Sequence, residues 1–112
     1  MSEPRVRSYD ELNAVDQFPG VVRRTLASGE NLTLVEIQLS TGAEVPEHTH
    51  PHEQAGHVIS GRVRFRMGGE TSDLKAGDSY LIPGELPHHV VAIDDAVLIE
   101  VFSPVREDFA YD

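Results

Sequence analysis

Short runs of β-branched and aromatic residues, separated by glycine and proline, recur along the whole chain. The runs at residues 21–27 and 32–39 are joined by Ser28, Gly29, Glu30 and Asn31, and this spacing predicts a β-hairpin. At residues 62–67 arginine alternates with apolar residues, so the three apolar side chains are predicted to face a core. The pattern indicates an all-β chain with many turns.

Two weaker signals predict local structure. Ser8 and Glu11 have the spacing of a capping box, which predicts one helical turn that ends before Pro19. Gly61 lies between an apolar pair and the run at residues 62–67, so we expect a second hairpin there. We therefore divide the 112 residues into an N-terminal arm, 1–20, and one domain, 21–112, because this length supports one hydrophobic core.

The last apolar run, residues 96–102, contains a single charged residue, Glu100. If Leu98 and Phe102 face the interior, strand alternation places the Glu100 carboxylate there too. The alternative is that Glu100 lies on the solvent face of an edge strand. Burial raises the pKa of a carboxylate and a nearby cation lowers it, so a carboxylate in such a position is a candidate general acid or base.

Composition and charge exclude several classes of function. The formal net charge of −10 argues against a nucleic-acid partner, and an anionic substrate would need local arginines. The chain has no cysteine, which excludes disulfides and thiolate ligands. No apolar stretch is long enough to span a membrane, and residues 1–20 lack the apolar core of a signal peptide, so we expect a cytoplasmic protein without a membrane partner.

Three histidines are candidates for a metal site. His48 and His50 are two residues apart, and on an extended strand they project to the same side. His88 follows a segment rich in glycine and proline and opens a returning strand. Neutral imidazole is the commonest protein ligand of divalent transition metals. The spacing therefore predicts that two neighbouring strands present these histidines to one ion.

Two blocks of the sequence resemble the paired motifs of the cupin superfamily. The residues that match are Gly42, His48, His50, Gln54, Gly61, Gly77, Pro83 and His88. The resemblance implies a single-domain cupin fold, a double-stranded β-helix or jelly-roll barrel. It also implies one divalent transition metal ion, which the ligands would accept as Ni, Zn, Fe, Mn, Co or Cu, held by His48, His50, Gln54 and His88. Gln54 stands where most members have Glu, Glu85 where Gly is usual, and Ala92 where Asn is frequent.

The neighbouring polar residues are expected to lie outside the ligand set. His52 is expected at the rim of the site, while His57 and His89 should face away from it by strand alternation. Glu53 is an alternative to Gln54 as a ligand. The arginines at 62, 64 and 66 form a stripe that either binds an anion or, as we favour, faces solvent or another subunit.

A narrower resemblance covers the chain from about residue 20 to its end. The strings at residues 48–54, 80–84 and 101–108 are similar to the KdgF-type pectin-degradation cupins. That family opens the ring of 4,5-unsaturated uronates to give linear 4-deoxy-5-keto uronates. The resemblance implies catalytic roles for Glu100, where Asp is usual, and for Arg106. It also implies a substrate site for a small anionic sugar at Phe102 and Arg106, and a homodimer.

Alternatives remain at this point. Arg106 has an ordinary alternative role in an ion pair with Asp108 or Glu107. A cupin dioxygenase would use a redox metal and consume oxygen. A non-catalytic sugar-binding cupin would bind metal and ligand without turnover.

Overall fold

The computed structural model describes residues 3–110, which form ten strands and one short 3₁₀ helix. The helix is Tyr9–Glu11. The strands are β1 Ala14–Phe18, β2 Val21–Ser28, β3 Thr33–Leu39, β4 Glu44–His48, β5 Glu53–Ser60, β6 Arg62–Met67, β7 Glu70–Lys75, β8 Ser79–Ile82, β9 His88–Ala92 and β10 Ala96–Ser103. Within this range no helix combines the length and the apolar character that crossing a lipid bilayer requires.

The strands form two antiparallel sheets whose inner faces enclose one core. The six-stranded sheet has the order β1-β2-β3-β10-β5-β8, and the four-stranded sheet has the order β4-β9-β6-β7. Burial alternates along the long strands, so β3 and β10 each bury every second side chain. This architecture confirms the predicted all-β jelly-roll class. The central strand β10 lies between β3 and β5 and carries Glu100 into the interior.

Two predicted features of the strands are confirmed. Strands β2 and β3 pair as an antiparallel hairpin, closed by a hydrogen bond from Gly29 N to Leu32 O. On β6, Val63 and Phe65 are buried and Met67 is partly buried against the core, whereas the three arginines are exposed. Two of those arginines pair with Asp94 and Asp73 at 2.7 Å. The arginine stripe therefore belongs to the solvated face of the four-stranded sheet.

The predicted hairpin around Gly61 is wrong. Strand β5 belongs to the six-stranded sheet and β6 to the four-stranded sheet, so the chain crosses between sheets at Gly61. Gly61 has a φ of 77°, and a Cβ there would lie 2.0 Å from the backbone oxygen of Asp95. A tight turn and a sheet crossing both need such a glycine, which is why the sequence did not distinguish them.

The segment assigned to an N-terminal arm contains both an irregular part and a strand. The turn at Tyr9–Glu11 forms as predicted, but the Ser8 side chain makes no capping hydrogen bond. Strand β1, which lies within residues 1–20, pairs with β2 at the edge of the six-stranded sheet. Residues 14–18 are thus part of the sheet. The outer ends of the two proposed units, residues 1–2 and 111–112, lie outside the described residues.

Candidate metal centre

The three predicted histidines converge at one end of the four-stranded sheet. His48 ends β4, His88 begins β9, and the two are direct cross-strand partners. His50 lies two residues beyond the end of β4. One ring nitrogen from each histidine lies within 4.8 Å of the others. The predicted convergence of these imidazoles is therefore confirmed, but His50 lies in the loop after β4 and not on the strand.

The loop that carries His50 is tied to the turn that precedes His88. The backbone N–H of Glu85 donates to His50 O at 2.7 Å. Glu85 has a φ of 68°, the left-handed conformation that favours glycine, and glycine is the residue that the superfamily motif usually has there. The Glu85 hydrogen bond therefore joins the backbone at His50 to the turn that leads to His88.

Backbone carbonyls set the orientation of all three imidazoles. The Nδ1 atoms of His48, His50 and His88 lie 2.9, 3.0 and 2.8 Å from the carbonyl oxygens of Pro46, His52 and Leu86. A proton on each Nδ1 satisfies these contacts and leaves the lone pair of each Nε2 directed to the common centre. His88 Nε2 is buried and has no hydrogen-bond partner among the described residues. A buried lone pair without a donor is what a metal ligand presents.

Gln54 joins the cluster from β5. Its Oε1 lies 3.0 Å from His50 Nε2, and its Nε2 donates to Glu100 Oε2 at 2.6 Å, which fixes the orientation of the amide. If His50 carries its proton on Nδ1, two acceptors face each other across this 3.0 Å contact. If the proton is on Nε2, the contact with His52 O becomes an acceptor pair instead. A shared cation removes this conflict.

The protonation of the histidines suits metal binding. Burial lowers the pKa of His88 to about 4 and, together with the charge on Arg106, lowers the pKa of His50. Both imidazoles are therefore neutral near pH 7. His50 then carries one proton, which cannot satisfy both the Gln54 Oε1 contact and the His52 O contact. The neutral imidazoles of His50 and His88, together with the His48 ring, an amide oxygen and one buried nitrogen without a partner, fit a divalent transition metal.

Glu100 is buried beside this cluster, with 7% of its surface exposed. The alternative of a solvent-facing Glu100 is wrong. Its Oε2 accepts hydrogen bonds from Gln54 Nε2 at 2.6 Å and from the Tyr80 hydroxyl at 2.5 Å. Burial raises the pKa of Glu100, although the hydrogen bonds from Tyr80 and Gln54 and the charge on Arg106 oppose the rise. Burial also raises the pKa of Tyr80, so its hydroxyl keeps its proton.

Phe102 and Arg106 line the same cavity as Glu100. The Phe102 ring packs edge-on against His50, with centroids 5.6 Å apart, and the Arg106 guanidinium lies 4.8 Å from the Phe102 centroid. Arg106 also makes the ion pair with Asp108 that we considered as its ordinary role, at 2.7 Å. The two roles coexist, since Arg106 lines the cavity while its guanidinium is held by Asp108.

A single cavity of about 250 Å³ contains most of these groups. The predicted site residues that line it are His48, Gln54, His88, Glu100, Phe102 and Arg106. Small-molecule sites have volumes of about 300–1,000 Å³. At about 250 Å³ this cavity lies just below that range, so it suits a small ligand.

The other polar residues near the motifs lie outside the cluster. His57 is exposed and contacts Ser79 Oγ, and His89 contacts Glu44, so both face away as predicted. Glu53 is exposed, which leaves Gln54 as the residue on the cavity side. His52 is half-buried with its ring 5.5 Å from His50, at the rim of the site.

Two residues of the site were not predicted from the sequence. Tyr80 lies on β8, and its inward direction could have been read from strand alternation with Ile82. Arg23 is 2% exposed, lines the cavity, donates to Gln17 and Thr25, and lies 4.0 Å from the Phe109 centroid. An arginine in a strand gives no sequence signal that it is buried, because most arginines are exposed.

Comparisons with known proteins agree with this fold. The sequence model of the cupin domain family matches residues 35–102. This range contains all four residues of the cluster, His48, His50, Gln54 and His88. The chain belongs to the cupin family.

The more specific resemblance is to KdgF. The chain is 34% identical over 92 residues to the pectin degradation protein KdgF of Dickeya dadantii, covering 80% of this chain and 84% of that protein. The structure of KdgF from a Halomonas species superposes with a TM-score of 0.89 at 30% identity, covering 95% of this chain and 98% of that one. An RmlC-like cupin from Shewanella frigidimarina superposes with a TM-score of 0.90 at 31% identity, covering 96% and 97%.

Proposed function

We propose that this cupin is a metal-dependent enzyme that opens the ring of 4,5-unsaturated uronate monosaccharides, giving linear 4-deoxy-5-keto uronates in pectin or alginate catabolism. The observation that carries the proposal is a buried carboxylate, Glu100, one hydrogen bond away from a cluster of three histidines and a glutamine in a small cavity. The similarity to two KdgF proteins supports the same activity.

His48, His50, Gln54 and His88 would hold one divalent ion, of the Ni, Zn, Fe, Mn, Co or Cu class. When bound, the ion would supply Lewis-acid polarisation of substrate oxygens and would help to fix their orientation. Gln54 adds no charge to this ligand set. Gln54 faces His50 with Oε1 and donates to Glu100 with Nε2. Glu100 is therefore outside the ligand set and remains available for proton transfer.

Glu100 would act first as a general base and then as a general acid. It removes the proton of the anomeric hydroxyl, the C1–O5 ring bond breaks as the C1 carbonyl forms, and the electron pair of that bond stays on O5 as the C4–C5 enolate. Return of the proton to C4 gives the C5 ketone, so the reaction is an isomerisation without a co-reactant. The raised pKa of Glu100 suits a group that both accepts and donates a proton near neutral pH.

Arg106 and Phe102 would bind the substrate. The planar guanidinium of Arg106 matches a carboxylate with two parallel hydrogen bonds, which requires it to exchange its partner Asp108 for the substrate. Phe102 lies between Arg106 and His50 and would form an apolar wall against the sugar face.

The proposal is tested with metal-replete protein and unsaturated uronate monomer. We expect the ultraviolet absorbance of the ring double bond to disappear faster than in the spontaneous reaction, with no oxygen consumed, and elemental analysis to find about one transition metal per chain. Oxygen consumption would instead support a cupin dioxygenase. Saturable sugar binding without turnover would support a sugar-binding cupin, and either result would contradict the proposal.

Two further parts of the sequence interpretation stay predictions. These are the cytoplasmic location and the homodimer.

A further inference from the structure

Tyr80, Gly56 and Glu100 form one row across three neighbouring strands. Gly56 on β5 is the cross-strand partner of Tyr80 on β8 and of Glu100 on β10. In an antiparallel sheet, directly opposed residues point to the same face. Tyr80 and Glu100 are both buried on the inner face, and the residue between them has no side chain.

The absence of a side chain at Gly56 allows Tyr80 to reach Glu100. A Cβ at position 56 would lie 2.1 Å from Tyr80 Cζ and 2.3 Å from its hydroxyl oxygen. The tyrosine ring therefore crosses over Gly56 and occupies the space of the missing side chain. On its other side the ring packs against Phe65, with centroids 4.4 Å apart, so Tyr80 is held between the sheet and the core.

The hydrogen bonds to Glu100 are unequally distributed between its two oxygens. Tyr80 and Gln54 both donate to Oε2. No residue within the described range 3–110 donates to Oε1, and Glu100 lines the cavity. Two donors on one oxygen fix the plane of the carboxylate and leave the other oxygen available to a ligand.

We propose that Tyr80 is a positioning residue, which crosses the gap left by Gly56 to hold Glu100 with Oε1 directed into the cavity. This inference rests on the proposed ring-opening function, in which Glu100 moves the proton. Tyr80 is not among the residues that line the cavity, so it would act on the substrate through Glu100. With the Gln54 hydrogen bond alone, the Glu100 carboxylate could still rotate about that hydrogen bond. The second hydrogen bond, from the Tyr80 hydroxyl, prevents this rotation.

The first test replaces Tyr80 by phenylalanine and compares it with Tyr9→Phe. Tyr9 also donates to a glutamate, Glu36, at 2.8 Å, but on the exposed surface, so it is a matched control. We expect Tyr80→Phe to lower kcat by about 10- to 100-fold, because misplacement of a catalytic group by about 1 Å has an effect of that size. KM and metal content should change by less than about twofold. Tyr9→Phe should behave as wild type.

The second test leaves both hydrogen-bonding groups in place and closes the gap. Gly56→Ala should displace the tyrosine ring and lower kcat as Tyr80→Phe does, with metal content retained. A double-mutant cycle with Glu100→Asp then shows whether Tyr80 acts through Glu100. The shorter side chain withdraws from the Tyr80 hydroxyl, so adding Tyr80→Phe to Glu100→Asp should change kcat by less than about twofold.

Crystal structures of the Tyr80→Phe and Gly56→Ala variants separate this inference from the proposed function. We expect the Glu100 carboxylate to be rotated or to occupy a second rotamer in both. If wild type turns over the unsaturated uronate, a wild-type kcat in Tyr80→Phe overturns the inference. If wild type does not, the proposed function is wrong, and an unchanged Glu100 carboxylate in both structures overturns the positioning role independently.

Discussion

At the scale of single residues, the site separates its negative charge from its ligand atoms. Gln54 offers a neutral oxygen to the histidine cluster and donates its amide N–H to Glu100. A glutamate at position 54 would instead place a second carboxylate beside Glu100 in a buried cavity, where like charges are costly. Gln54, which stands where the superfamily motif usually has glutamate, therefore avoids charge repulsion with Glu100 and donates a hydrogen bond to it.

This arrangement predicts the effect of Glu100→Gln. The amide retains the shape and can still accept hydrogen bonds from Tyr80 and Gln54, so metal content should equal that of wild type. It cannot take up the anomeric proton, so kcat should fall by at least about 100-fold. Elemental analysis and the ultraviolet assay measure the two quantities. Turnover at the wild-type rate would remove Glu100 from the mechanism.

The histidines predict a pH dependence of stability in the metal-free protein. Burial lowers the pKa of His88 to about 4, whereas in the unfolded chain it is about 6.5. Between these values the unfolded state binds the proton and the folded state does not, so the free energy of unfolding falls as the pH falls from about 6.5 to about 4. His50, whose pKa is also lowered, acts in the same direction.

Thermal unfolding between about pH 7 and pH 4.5 measures this dependence. We expect Tm of the metal-free wild type to decrease over this range. The decrease should be smaller in His88→Gln and unchanged in His57→Gln, which removes an exposed histidine from the outer face. Identical pH profiles for His88→Gln and wild type would contradict the assignment of a neutral buried His88.

At the scale of secondary structure, the crossing at Gly61 connects the sheet that carries Gln54 and Glu100 to the sheet that carries His48 and His88. Gly61 has a positive φ, and any Cβ would overlap the Asp95 oxygen, which is backbone and cannot rotate away. The crossing therefore depends on glycine for two reasons, its conformation and the close approach of the chain.

Substitution by alanine separates these two reasons. Gly69 has a φ of 92°, and a Cβ at that position would have no neighbouring atom within 4 Å, so Gly69→Ala measures the conformational cost alone, about 1–2 kcal/mol. Gly61→Ala adds the overlap with Asp95 and should lower the free energy of unfolding by a further amount of about 1–3 kcal/mol. Denaturant titration compares them. Equal losses in the two variants would contradict the close approach at Gly61.

Particular elements show how much the sequence could predict. The inward direction of Glu100 followed from the alternation of β10, and the convergence of the histidines followed from their motif spacing, because both signals are local. The separation of β5 and β6 into different sheets could not be predicted, since strand alternation and a glycine turn are the same for a hairpin and for a crossing between sheets. Tyr80 was missed because its role depends on its partner across Gly56, a contact between strands that are distant in sequence.

In the molecule as a whole, the outer face of the six-stranded sheet carries apolar side chains beside polar ones, since Glu36 and His57 are the cross-strand partners of Ile99. Val97, Ile99 and Val101 point outward from its central strand, and the neighbouring Ile59 and Leu81 are 52% and 59% exposed. An exposed apolar patch on a chain with a net charge of −10 is typical of an interface. The homodimer that the resemblance implies stays a prediction, and we expect its interface at these exposed apolar residues.

Light scattering coupled to gel filtration tests the dimer. We expect wild type to have twice the chain mass of 12.3 kDa. Leu81→Glu should shift the protein towards the monomer, because it places a charge in the apolar patch. Thr71→Glu, on the exposed β7 of the other sheet, is the control and should remain dimeric. A monomeric wild type would contradict the prediction.

The central claim is that side chains from β4, the following loop, β5 and β9 bind one ion. An anomalous-scattering map of crystals grown with a divalent transition metal tests it most directly. We expect a single peak per chain, at a bonding distance of about 2.0–2.2 Å from the Nε2 atoms of His48, His50 and His88 and close to Oε1 of Gln54. The absence of a peak at that position, or a peak bound only by other residues, would contradict it.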